Sequence, residues 1–130
     1  MEHYTAGCLC GSVRVVAIGR PYRVGICHCL DCRKHHGALF HASAIFPAAA
    51  VAITGAYRSF GDRSFCPTCG TTVSHTAELR PGMRTIAAGT FDDPTWFKID
   101  RHIWVQSKLP WVTIPDNVAT YAQGFVASPP

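Results

Sequence analysis

Cys27-His-Cys-Leu-Asp-Cys-Arg-Lys-His-His-Gly37 (CHCLDCRKHHG) sets three thiols within six positions and closes on a glycine. Thiols this close can converge on one ion, because a tight turn aims neighbouring sulfurs the same way. After them, Asp31 can cap orphan amides and Gly37 can take a left-handed terminal conformation, so Asp31 to His36 reads as one or two turns of helix. The other cysteines stand in two short groups, Cys8 and Cys10 in CLC and Cys66 and Cys69 in CPTC. In CPTCG, Pro67 presets one turn dihedral and Gly70 permits a left-handed one, which is the signature of a metal knuckle. Seven cysteines in 130 residues is an odd count, so complete disulfide pairing within the chain is excluded. Clustered thiols of this kind bind metal or do chemistry in a reducing compartment, and the expected location is cytoplasmic.

Around these groups the pattern is short and β-rich. Ser12 to Ile18, Tyr22 to Cys27, Ala38 to Phe46, Val51 to Thr54, Tyr57 to Phe60, Thr72 to His75, Arg84 to Phe91 and His102 to Gln106 read as strands bounded by Gly, Pro or Asp. They predict a mainly β, antiparallel single domain over residues 1–130. Hydrophobic residues at 48% suffice for a core, and 15% charged residues argue against a coiled coil or a solvated tail. The net charge of +4 suits an anionic ligand, but no Lys/Arg run points to nucleic acid. No apolar stretch approaches a membrane span, and the start Met1-Glu2-His3-Tyr4 lacks the basic and apolar regions of a secretory signal. Trp96, Trp104 and Trp111 are expected in the core, Trp104 within an apolar strand. Ser128 to Pro130 is expected to fray.

Spacing leaves the grouping of the thiols open. CHCLDC most simply forms one centre of three, and CLC joins CPTC in a centre of four that staples the start of the chain to its middle. Zinc is the default ion for thiolate-rich sites: four thiolates close the coordination sphere, whereas three leave a position for water or substrate. The spacings do not match those of iron–sulfur proteins. His28 is expected to point away from its neighbouring cysteines, and His3, His41, His75 and His102 read as isolated structural histidines.

Taken in order, GCLCGSVRV, CHCLDCRKHHG, FCPTCGTTV and HIWVQSKLPW resemble the glutathione-dependent formaldehyde-activating family, which includes centromere-protein-V-like proteins. The resemblance spans Gly7 to Trp111. It implies a β-tent fold of stacked antiparallel sheets around zinc. It also implies two zinc ions per chain: a structural one on Cys8, Cys10, Cys66 and Cys69, and a labile one with an open side on Cys27, Cys29 and Cys32. The implied activity is carbon–sulfur lyase chemistry that interconverts glutathione plus formaldehyde with S-hydroxymethylglutathione.

A zinc ion held by three thiolates carries a formal charge of −1, which suits an exchangeable thiol better than hydroxide. Arg33 and Lys34 are the candidate receivers of the carboxylates of a glutathione-like ligand, and His36 is a candidate donor to the developing oxyanion. Two other readings fit the same residues: a carrier that binds glutathione or another thiol without turnover, and a structural zinc module for protein or nucleic-acid interaction.

Overall fold

A computed structural model describes residues 2–124; the Ser128 to Pro130 segment lies outside them. The described residues form eleven strands and one α-helix. Strands β1 (His3–Gly7), β2 (Arg14–Ile18) and β5 (Val51–Thr54) make a three-stranded antiparallel sheet in the order β1-β2-β5. The larger sheet contains β3 (Arg23–Cys27), β4 (His41–Pro47), β6 (Arg58–Phe60), β7 (Arg63–Phe65), β8 (Thr72–His75), β9 (Met83–Ala87), β10 (Arg101–Ile103) and β11 (Ala119–Thr120). Its order is β11-β10-β3-β4-β9-β8-β7-β6. Helix α1 (Leu30–His36) connects β3 to β4.

The mainly β expectation holds, with one departure. Strand β10 runs parallel to both β3 and β11 rather than antiparallel. The chain reaches β10 by a long return instead of a hairpin, and long connections permit parallel pairing. Asp100 fixes the register there, since its amide donates to the Val24 carbonyl and its carboxylate accepts from the Val24 amide.

Alternation along the strands explains the core. In β2, Val15 and Ala17 are buried while Val16 and Ile18 face outward. Their buried side joins Ala6, Val13, Val24, Ala44, Phe46, Val73, Ile86 and Phe91 in one cluster. Tyr4, Phe91, Trp96 and Phe97 extend it as an aromatic group, with Phe91 edge-on to Trp96 at 5.2 Å between centroids. The core cluster includes Cys8 and Cys66, so the ends of the first and last cysteine groups are anchored in packed apolar surface.

Several boundaries differ from the sequence reading. Strands β1, β7 and β11 carry no strong apolar alternation and were not expected. Residues 38–40 bend instead of extending β4. Trp104 is not in a strand: it takes a left-handed conformation (φ 56°) at the start of a short 3-10 turn, Val105–Ser107. Trp111 is 63% exposed and so is not a core residue, whereas Trp96 packs half-buried against the core.

Candidate metal centres and the cavity between the strands

The Cys8, Cys10, Cys66 and Cys69 sulfurs lie within 4.8 Å of one another. Cys8 to Cys10 is 3.6 Å and Cys10 to Cys66 is 3.7 Å. A tetrahedral zinc with bonds of about 2.3 Å separates its sulfurs by about 3.8 Å, so the donor set fits that ion. Local backbone builds the fit. The Gly70 amide donates to the Cys66 carbonyl, and the Val13 amide donates to Cys8 Sγ at 3.3 Å. Gly11 and Gly70 both have φ of 82°, the left-handed turn each knuckle requires. Thr71 ties the two knuckles together, since its hydroxyl accepts from the Leu9 amide and lies 3.3 Å from Cys69 Sγ. The hydroxyl and then the amide of Thr71 draw the Cys69 thiol down to about 5. Burial raises the Cys8 thiol, but the Val13 amide with Cys10 and Ser12 outweighs it and brings Cys8 to about 7. Donors that favour thiolates are what a metal site needs.

The second thiol group sits where β3 passes into α1. Cys27 ends β3, Cys29 caps the helix and Cys32 lies buried in its first turn. The expected cap, Asp31, is displaced by Cys29, whose sulfur accepts from the Cys32 amide at 3.3 Å. Gly37 ends the helix in the left-handed conformation as expected, its amide bonded to the Arg33 carbonyl. These three sulfurs also lie within 4.8 Å of one another. Hydrogen bonds from Cys27 and Cys32 hold the Cys29 thiol far below its ordinary value, while the same contacts and burial push Cys27 far above.

This group opens on a cavity of roughly 270 Å³ whose wall includes Arg23, Arg63, Arg80 and Arg101 beside a single acid, Asp62. Arg63 donates to Cys32 Sγ at 3.5 Å, and its other terminal nitrogen lies 3.3 Å from His36 Nε2. Arg23 stacks on the Tyr22 ring, and its buried Nε has no hydrogen-bond partner among the described residues.

Arg33 and Lys34 lie on the last turn of α1, half-buried and exposed respectively, and do not line this cavity. His36 stands near it, but in company that the sequence did not suggest. His36, His41 and His75 come together with a ring nitrogen of each within 4.8 Å of the others, which overturns the reading of His41 and His75 as isolated. His28 is likewise fully buried, its Nε2 hydrogen-bonded to His102 Nδ1 at 2.8 Å. Arg63, His41 and His75 escaped the sequence reading because only long-range strand register brings them to the thiols, and no local spacing encodes that register.

Two thiol groups whose donor sets could each hold a metal ion, carried on a pair of β-sheets, define a domain of the cysteine-knuckle kind. Residues 3–107 match the family model for the glutathione-dependent formaldehyde-activating enzyme, and the chain belongs to that family. A Schizosaccharomyces pombe protein named as an uncharacterized lyase is 33% identical over 78 residues, which cover 56% of this chain and 57% of the relative. The match therefore spans little more than half of that relative's length. A crystal structure of a Rhodobacter sphaeroides protein shares the fold at a TM-score of 0.53 and 17% identity, covering 90% of this chain and 98% of that one. No helix among the described residues is long and apolar enough to cross a membrane.

Proposed function

We propose that the chain is a zinc-dependent carbon–sulfur lyase that joins glutathione or a similar thiol to formaldehyde or another small aldehyde, and splits the S-hydroxymethyl adduct in reverse. The observation that carries this reading is the Cys27, Cys29 and Cys32 trio facing a cavity lined by four arginines and one acid. In this reading Cys27, Cys29 and Cys32 hold a labile zinc, and Cys8, Cys10, Cys66 and Cys69 hold a structural one. When bound at the trio, zinc supplies an exchangeable thiolate position and lowers the pKa of a thiol placed there.

The protein's own residues supply the rest. Arg63, hydrogen-bonded to Cys32, offsets the negative charge that collects on the sulfurs. Arg23 and Arg101 on neighbouring strands offer guanidinium groups to the carboxylates of a glutathione-like thiol, and the unpartnered Nε of Arg23 gains an acceptor when one binds. Arg33 and Lys34 stay as candidate receivers of a longer ligand's carboxylates and His36 as candidate donor to the developing oxyanion, although all three stand outside the cavity wall. In the forward direction the sulfur–carbon bond forms, the carbonyl π bond opens, and the proton given up by the thiol ends on the new hydroxyl. In reverse the hydroxyl returns that proton and the sulfur leaves.

The test is the rate of adduct formation and breakdown with glutathione and formaldehyde, measured against the uncatalysed exchange, for the native chain and Cys29→Ser. Turnover above background that Cys29→Ser removes is the expected result. Glutathione binding with no acceleration would replace the lyase by a thiol carrier.

A further inference from the structure

We propose that His36, His41 and His75 form a third metal site, an imidazole-lined one distinct from both thiol groups, which takes a borderline divalent ion such as zinc or cobalt(II). The three rings come from separate elements: the last residue of α1, the first of β4 and the last of β8. One nitrogen of each lies within 4.8 Å of the others. His41 and His75 are 6% and 8% exposed, so two of the three donors are held in place by packing. His41 Nε2 is buried with no hydrogen-bond partner among the described residues. A buried ring nitrogen without a partner is costly, and an ion is one way to satisfy it. Access exists from two sides, because His41 and His75 line the cavity beside the thiol trio while His36 and His41 line a second one beside Gly70 and Thr72.

Occupation requires a local adjustment. Zinc–nitrogen bonds of about 2.0–2.1 Å bring tetrahedral donors to about 3.4 Å, closer than the outer limit of the cluster. The His36 and His41 rings stack at 3.6 Å and 11°, so their lone pairs lie in near-parallel planes. His36 is half-buried at the helix end, and it is the ring that turns out of the stack to converge with the others. Arg63, now 3.3 Å from His36, has the Cys32 sulfur as its remaining partner when His36 moves. The adjacent His35 is occupied elsewhere, 3.1 Å from the Thr72 hydroxyl.

The chemistry differs from that of the thiol trio. Three neutral imidazoles leave the full +2 charge on the ion and an open position, the arrangement that favours an oxygen ligand such as water, hydroxide or a carbonyl. This site does not depend on the lyase reading, and its test uses no turnover assay.

The full chain carrying two equivalents of zinc, enough for the two thiol groups alone, is titrated with cobalt(II), and bound cobalt is counted and followed by its visible spectrum. One added equivalent per chain is expected, showing ligand-field bands without sulfur-to-cobalt charge transfer. His75→Gln and His36→Gln should each lose that equivalent at matched cobalt concentration, while His3→Gln keeps it. If His75→Gln does not fold, His36→Gln decides, since its side chain is half-exposed and the melting temperature of the zinc-loaded variant reports its fold. Cobalt that enters only with sulfur charge transfer, no added equivalent, or an equivalent unchanged in His36→Gln would each overturn the proposal.

Discussion

Cys66→Ser is the sharpest test of how the two thiol groups divide their roles. Cys66 is fully buried within the core cluster, and its sulfur lies 3.7 Å from Cys10, 56 positions earlier. An ion shared by these residues cross-links the chain as a disulfide does, and loop-closure entropy over such a span is worth about 4 kcal/mol. Domains of this size are stable by about 5–15 kcal/mol in total, so losing the cross-link consumes much of that margin. At roughly 3–4 °C per kcal/mol, the melting temperature should fall by at least about 12 °C. Ser also removes a ligand whose binding is itself part of folding, so the true fall is larger. Thermal melts of zinc-loaded native chain, Cys66→Ser and Cys29→Ser, each repeated with a strong chelator, provide the assay. Cys29→Ser should melt within a few degrees of the native chain. A stable Cys66→Ser beside a collapsed Cys29→Ser would reverse the assignment of structural and labile groups.

Other consequences are equally direct. Phe46→Ala, at a fully buried ring packed near Tyr4 and Phe91, should cost about 3–5 kcal/mol in urea unfolding. Gly55→Ala should cost more than about 2 kcal/mol in the same assay, since φ is 93° and an added Cβ would sit 2.0 Å from the Ser12 carbonyl oxygen. Arg23→Met should raise KM for glutathione about tenfold or more while leaving KM for 2-mercaptoethanol unchanged, because only the former carries carboxylates; an equal change for both thiols would remove Arg23 from carboxylate binding. His102 is held below its ordinary value by burial and then by Lys108. The unfolded chain therefore takes up a proton first, and stability falls as pH drops below about 6.5, by up to about 1.4 kcal/mol per pH unit from this residue. Urea midpoints between pH 7.5 and 5.5 should show that slope lessened in His102→Gln.

What was legible in the sequence was local. CLC, CHCLDC and CPTC announce thiol clusters because two or three residues of spacing fix how far apart their sulfurs can lie, and the structure brings these groups together as a four and a three. Gly37 was readable for the same reason, as a left-handed residue after a short helical run. The cap was misplaced because a cysteine sulfur took the role usual for an aspartate oxygen, so Cys29 both caps the helix and joins the thiol trio. Trp104 looked like a strand residue from its apolar neighbours, but nothing in those neighbours signals the left-handed turn it makes. The histidine group was beyond local reading, since its members are separated in sequence by five and by thirty-four positions.

Register explains how these groups come to share one cavity. Cys27 on β3 pairs directly with His41 on β4, and Arg63 on β7 pairs directly with His75 on β8. Each pair sets a thiol or a guanidinium against an imidazole on the same face of the sheet, and β9 between β4 and β8 holds the two pairs at a fixed spacing. Because side chains alternate, a slip of one residue in either pairing would put the two members of that pair on opposite faces. The β7–β8 pairing contains an irregularity of its own, with Ser64 opposite Ser74 but Phe65 opposite Thr72. Such a bulge bends the strand locally. Here it falls between Arg63, which serves the cavity, and Cys66, which serves the four-cysteine group. The unmatched residue is Val73 of β8, so Arg63 and His75 stay opposite each other at the cavity wall, while Cys66 and Cys69 lie past the shift in the connection between β7 and β8.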